Sequence, residues 1–278
     1  MIEVKGVTKT FKAKPFKAGA FKPAVKNDSI LAVGGARSAS SSAGFAWGKS
    51  KKPFKALDNV SFTVKPNRIT GILGQNGAGK STMLRVLAGT ILPDAGLILF
   101  DGEILEPKTR RARTALLFGG KTGLYDELSA LDNILYFAKL RGVQAEKARQ
   151  DALALGEQFE MSDFLHQKVS ALSTGMKQKV AIVRALIHDP DIIMLDEPES
   201  GLDFAASALL NNFLIDYAQS GKTVLVSSHS AGDILDLCED VVVLKAGIVT
   251  AEQSLRELVD GKSLEESFRL LKELVIGK

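Results

Sequence analysis

The chain has 278 residues, 45% of them apolar and 24% charged, with a single cysteine, Cys238. That length can bury a sizeable core, and the composition excludes a wholly disordered, collagenous or disulfide-scaffold protein and fits a reducing compartment. The net charge of +4 is uneven: residues 12–55 hold ten Lys or Arg against one acid, Asp28, so the remainder is mildly acidic and the overall basicity is poor evidence for nucleic-acid binding.

In chain order, Ile2–Phe11 reads as a strand. Its opening, Met1-Ile2-Glu3-Val4, is unlike a signal peptide, and no apolar run reaches the eighteen or so residues of a membrane span, so the expectation is an unexported chain without a span of its own. Residues 12–55, with Ala-Ser-Ser-Ser-Ala-Gly at 39–44 and many separated lysines, read as a basic low-complexity insertion. Val60–Val64 alternates apolar and polar as a half-buried strand does. Arg68–Leu73 enters a Gly-rich turn followed by a helix over Ser81–Leu87, and strands are predicted at Leu97–Phe100 and Thr114–Phe118. From 122 to 188 the spacing turns helical, as at Leu131, Ile134, Leu135 and Ala138, which predicts an inserted helical subdomain. Alternation then resumes with a strand at Ile192–Leu195, a helix near Phe204–Ala218, a strand at Thr223–Ser227, a helix near Ala231–Leu237 and a ribbon at Val241–Leu244 and Ile248–Thr250. Within a C-terminal region of 236–278, Leu264, Phe268, Leu271 and Val275 form one stripe of an amphipathic helix. The whole predicts an α/β domain built on a mostly parallel sheet with helices on its faces.

The chemistry concentrates at Gly74-Gln75-Asn76-Gly77-Ala78-Gly79-Lys80-Ser81, a phosphate-binding loop flanked by the predicted strand and helix. Backbone N–H groups of Gly74, Asn76, Gly77, Ala78 and Gly79 can cradle phosphate oxygens at a helix N-terminus, with Thr82 just behind. Lys80 reaches the β/γ-phosphates and the Ser81 hydroxyl suits Mg²⁺. The apolar run Ile192–Leu195 ends in Asp196 and Glu197. A buried parallel strand delivers such carboxylates to the ligand crevice, Asp196 toward Mg²⁺ through water and Glu197 toward the attacking water as base or positioner.

Ala171-Leu172-Ser173-Thr174-Gly175-Met176-Lys177-Gln178 resembles the signature motif of the ATP-binding-cassette (ABC) ATPases. Ser200-Gly201-Leu202-Asp203 resembles their D-loop, and His229 after Val224–Ser228 their switch histidine. The resemblance spans nearly the whole chain apart from 12–55. It implies a P-loop NTPase (RecA-like) core with an N-terminal antiparallel β subdomain and an α-helical insertion, binding ATP with Mg²⁺ and hydrolysing it. It further implies a dimer, expected to be of identical subunits, in which Ser173 and Gly175 serve the partner's γ-phosphate and Asp203 aligns the opposing site. His229 then senses the γ-phosphate, and Phe11 occupies the adenine-stacking place, with Phe16 and Phe21 as alternatives.

Two positions depart from the family pattern. Phe118-Gly119-Gly120-Lys121-Thr122-Gly123-Leu124-Tyr125 lacks the usual glutamine, for which Gly120 or Lys121 stands, and Met176 replaces the glutamine of the signature. The longer run Phe118–Leu128 resembles the ATPase subunits of bacterial sodium-, drug- or polysaccharide-exporting transporters, and the long insertion ahead of Ala56–Val60 is similar to that of the polysaccharide exporters. That implies a separate membrane-spanning permease and a peripheral place on the cytoplasmic face of the inner membrane. The alternative is a soluble regulatory or assembly ATPase of the same family. Phe-Lys pairs at Phe11, Phe16, Phe21 and Phe54 suit an anionic lipid surface, and no nucleic-acid partner is expected.

Overall fold

A computed structural model describes residues 1–12, 53–119 and 122–276. The chain divides into two compact units, Met1–Lys9 with Lys55–Lys278, and Thr10–Phe54. Residues 10–12, 53 and 54 are the described part of the second unit, so nearly all of the basic insertion lies outside the described residues.

A three-stranded sheet runs in the order β2 (Phe54–Val64), β1 (Ile2–Phe11), β4 (Ala95–Phe100), with β1 antiparallel to β4 through Ile2↔Phe100 and Val4↔Ile98. A six-stranded sheet runs β5 (Thr114–Phe118), β6 (Ile192–Asp196), β7 (Thr223–Ser228), β3 (Ile69–Leu73), β8 (Asp240–Lys245), β9 (Ile248–Ser254). Its strands are parallel except β9, which returns antiparallel on β8.

Both faces of the large sheet are covered, and the side-chain period of two divides its apolar residues between two cores. Ile193, Leu195, Val224, Val226, Val241 and Val243 face one core, which also takes the helices α3 (Ala130–Leu140), α5 (Thr174–Leu186), α6 (Phe204–Gln219) and α7 (Ala231–Leu237). Ile192, Met194, Leu225, Val242 and Leu244 face the other, packed on α1 (Lys80–Leu87) and on the three-stranded sheet through Val4, Leu57 and Phe100. Each fully buried Leu, Ile or Val contributes roughly 1.5–3 kcal/mol, so a one-residue register slip that exchanged the two faces would forfeit many such terms.

The helical insertion comprises α3, α4 (Ala145–Gln158), a 3₁₀ turn at Val169–Ala171 and α5. Among the described residues five helices start on a residue whose side-chain oxygen accepts a backbone N–H: Ser129 from Asp132, Ser173 from Met176, Asp203 from Ala206, Ser230 from Asp233 and, ahead of the C-terminal helix, Ser263 from Glu266. The chain differs from the sequence expectation in several of its elements. A helix, α2 (Pro107–Arg113), precedes β5; α8 (Leu255–Val259) follows β9; and β2 begins at Phe54, inside the predicted insertion. The C-terminal helix α9 (Leu264–Ile276) forms as expected and buries Leu271 fully, but Leu264 is 73% exposed and Ser267 is buried in its stead. Leu264 is the first residue of the helix, so its side chain stands beyond the packed turn.

Candidate active site

Sheet register assembles the site. Phe118 pairs with Asp196, Asp196 with Ser227 and Ser227 with Ile72, so the C-terminal ends of β5, β6, β7 and β3 stand in one row. The next residues along, Gly119, Glu197, Ser228 and Leu73, stand just beyond it, at the crevice where parallel sheets bind ligands.

From β3 the chain enters the phosphate loop. Gly77 and Gly79 take φ of 83° and 109°, and a Cβ at Gly79 would lie 2.5 Å from the Ala56 carbonyl, so only glycine brings the loop this close to β2. Gly74 and Ala78 are buried, Asn76 and Gly77 exposed, and Ser81 and Thr82 half-buried on the first turn of α1. Lys80 is 5% exposed. Its Nζ donates to the Gly74 carbonyl at 2.7 Å and lies 3.3 Å from Glu197 Oε1. The same Oε1 is 3.3 Å from His229 Nδ1. Lys80, Glu197 and His229, named separately in sequence, thus converge on one carboxylate oxygen.

Asp196 is buried, and its Oδ1 accepts from Ser227 Oγ at 2.5 Å. Ser228 Oγ donates to Asp233 Oδ2 at 2.6 Å and accepts the Ser230 N–H at 2.9 Å, fixing the turn that carries His229. A cavity of about 230 Å³ opens beside His229, lined among others by Glu197, Glu199, Ser228 and Asp233. Burial, with Asp233 nearby, raises the Glu199 pKa, opposed by a hydrogen bond from Asn211.

A second group forms around the helix that the signature residues open. Ser173 is exposed and caps α5. A Cβ at Gly175 would be 3.7 Å from the Gly201 carbonyl, and one at Gly201 would be 3.3 Å from Thr174, so signature and D-loop segments adjoin within one chain. Asp203 caps α6 through a 2.8 Å bond from the Ala206 N–H. Gln178, buried, reaches the Pro198 carbonyl at 3.5 Å and ties this group to the strand-end carboxylates. The sequence places Gln178 at the end of the signature-like run but gives it no role of its own; a polar residue on an apolar helix face is the signal for one. Phe11, the last residue of β1, is 40% exposed. Phe16, Phe21, Gly120 and Lys121 lie outside the described residues.

The donors fit Mg²⁺ as such ions are usually held, by one or two hard protein oxygens plus substrate phosphates. Asp196 offers a single carboxylate, Ser81 a hydroxyl, and among the described residues no cluster of three or more His, Cys, Asp or Glu could hold a metal by itself.

Residues 57–200 match the family model described as ABC transporter. The ABC transporter ATP-binding protein NatA of Bacillus subtilis is 40% identical over 82% of this chain and 94% of its own length. The Nod factor export ATP-binding protein I of Burkholderia pseudomallei is 36% identical over 74% of this chain and 68% of its own. Among solved structures, an ATP-binding subunit of an ABC transporter superposes with a TM-score of 0.73 at 25% identity, covering 98% of this chain and 99% of that one. The dimeric post-hydrolysis cassette MJ0796, bound to ADP and Pi, gives 0.71 at 26% identity over 92% of this chain and 99% of its own.

Proposed function

Because the chain belongs to the ABC transporter family as an ATP-binding, ATP-hydrolysing subunit, we propose that it drives an export-type transporter whose permease is a separate chain. Two copies would close head to tail around two ATP molecules. The observation that carries the reading is the convergence of Lys80 and His229 on Glu197 beside the phosphate loop. Lys80 turns from the Gly74 carbonyl and Glu197 toward the β/γ-phosphates, which leaves the Glu197 carboxylate to receive a proton from water. The water oxygen bonds to the γ-phosphorus, the bond to the β-bridging oxygen breaks, and ADP leaves with phosphate. His229 orients Glu197 and reaches the γ-phosphate. Asp196 and Ser81 would hold Mg²⁺, which when bound neutralises charge on the β- and γ-phosphates.

Ser173 and Gly175, exposed or half-exposed at the N-terminus of a thirteen-residue helix, suit an anion arriving from a second subunit. Asp203, at the adjoining cap, aligns that opposing site, and Phe11 stacks on adenine. Export is supported by the similarity to the Nod factor export ATP-binding protein I, while the similarity to NatA supports an ABC transporter subunit without indicating direction. Among the described residues no helix is long and apolar enough to cross a membrane. Tyr125 and Tyr136, 49% and 42% exposed and edge to face at 5.3 Å, offer an aromatic patch of the kind enriched at protein interfaces, which we assign to the permease. The Phe-Lys pairs of the insertion support contact with anionic lipid at the cytoplasmic face.

Co-purification tests the reading. Recovery from detergent extracts with a polytopic membrane protein is expected. Recovery only from a membrane-free fraction with soluble partners would favour a regulatory ATPase instead.

A further inference from the structure

We infer that Gly119 is a positioning residue for Glu197: by having no side chain, it lets the end of β5 press against the Asp196–Glu197 backbone and so sets the aim of the carboxylate. The inference rests on Glu197 being the base.

Glu197 adopts φ of 51°, in the left-handed region that a non-glycine residue occupies only when its surroundings hold it there. Three backbone bonds do so. Gly119 N–H donates to the Asp196 carbonyl at 2.7 Å, Glu197 N–H to the Ser227 carbonyl at 3.0 Å, and Ser200 N–H to the Glu197 carbonyl at 3.2 Å. On the fourth side stands Gly119 itself. A Cβ there would meet the Glu197 carbonyl oxygen at 2.2 Å and the Asp196 carbonyl oxygen at 3.1 Å, both backbone atoms that cannot swing aside as a side chain can. Relieving the closer contact requires a shift of about 1 Å. The shift falls on the residue whose Oε1 is 3.3 Å from both Lys80 and His229. The phosphate loop, built on β3 and α1, is not touched. The geometry therefore separates two effects that most mutations at such a site mix: the aim of the base changes and the seat of the nucleotide does not.

The test is a double-mutant cycle on the full chain. Gly119→Ala is expected to lower kcat by about 10- to 100-fold, the scale of an ångström's misplacement, with KM and the affinity for a fluorescent ATP analogue within about threefold of wild type. In a Glu197→Gln background the same substitution should leave the residual rate unchanged within about twofold, because the group it positions is gone. Ser200→Pro, which removes the N–H donated to the same carbonyl but lies in the D-loop segment, serves if Gly119→Ala does not fold and is read only for a lower kcat that disappears in the Glu197→Gln background. A normal kcat in Gly119→Ala, a parallel loss of ATP binding, or an equal further loss in the Glu197→Gln background would overturn the inference. Normal hydrolysis by Glu197→Gln alone would overturn the assignment of the base and this inference with it. A normal Gly119→Ala beside an inactive Glu197→Gln overturns this inference only.

Discussion

Arg184, on α5, holds the segment that follows β5. Its Nη2 donates to the Thr122 carbonyl at 2.7 Å and its Nη1 to the Gly123 carbonyl at 2.9 Å, while the guanidinium lies 4.4 Å over the Phe137 ring. Arg184→Ala removes two charge-assisted bonds, worth roughly 1.5 kcal/mol each at the low end, and a cation–π contact worth about 0.5–1 kcal/mol. Against this, unfolding no longer regains the hydration of a partly buried cation; burial is the leading cause that lowers the Arg184 pKa. The net destabilisation is then about 2–3 kcal/mol, which for a chain of this size lowers Tm by about 5–10 °C. Arg184→Lys keeps the charge but cannot fork to two carbonyls, and should recover about half of that loss. Tyr125 packs 6.3 Å from Phe137, so the exposed aromatic patch should loosen with the segment. Thermal unfolding followed by circular dichroism, with nucleotide titration alongside, measures both effects. The affinity for ATP should stay within about twofold of wild type. A Tm for Arg184→Ala within about 1 °C of wild type, or a fall in ATP affinity by tenfold or more, would refute the reasoning.

Two further outcomes follow from the same geometry. Lys80→Ala should weaken ATP binding by about 10- to 100-fold, the worth of a charge-assisted bond to phosphate, whereas Ser173→Arg should bind ATP normally and hydrolyse poorly; mixing the two should restore part of the rate through composite dimers, and no restoration would argue against completion in trans. His188, its pKa lowered to about 4 by burial and then by Arg141, stays neutral in the fold but charges on unfolding below its ordinary value of 6.5. Its contribution to stability is therefore full above about pH 6.5 and is lost as pH falls toward 4, by at most about 3 kcal/mol. Denaturant titrations of wild type and His188→Gln across that window should converge at low pH, and parallel curves would show that His188 is not the group responsible.

What sequence could reveal depended on whether a feature's cause is local. The phosphate loop was legible because glycine spacing, Lys80 and Ser81 are demanded by phosphate geometry, and the buried strands because both faces are apolar. Helix α2 was not legible: its sequence, Pro-Lys-Thr-Arg-Arg-Ala-Arg, has no apolar stripe, and its one buried side chain is Arg110, which donates to the Val86 carbonyl at 2.9 Å. Nor could spacing reveal the contact of Gly119 with Glu197, the pairing of Lys80 with that carboxylate, or the reach of Gln178 to Pro198. All three arise where distant segments meet across the sheet. Asp203 shows an intermediate case, since its helix cap is local chemistry and the proposed alignment of an opposing site would need a second chain.

The central claim is that Glu197 takes the proton from water in a site that two chains close together. Sizing chromatography of Glu197→Gln with and without Mg-ATP, with turnover measured on the same sample, tests it most directly. The account predicts that the variant binds ATP, loses turnover and elutes as a dimer only when Mg-ATP is present. A variant that remains monomeric with Mg-ATP and hydrolyses at the wild-type rate would contradict it.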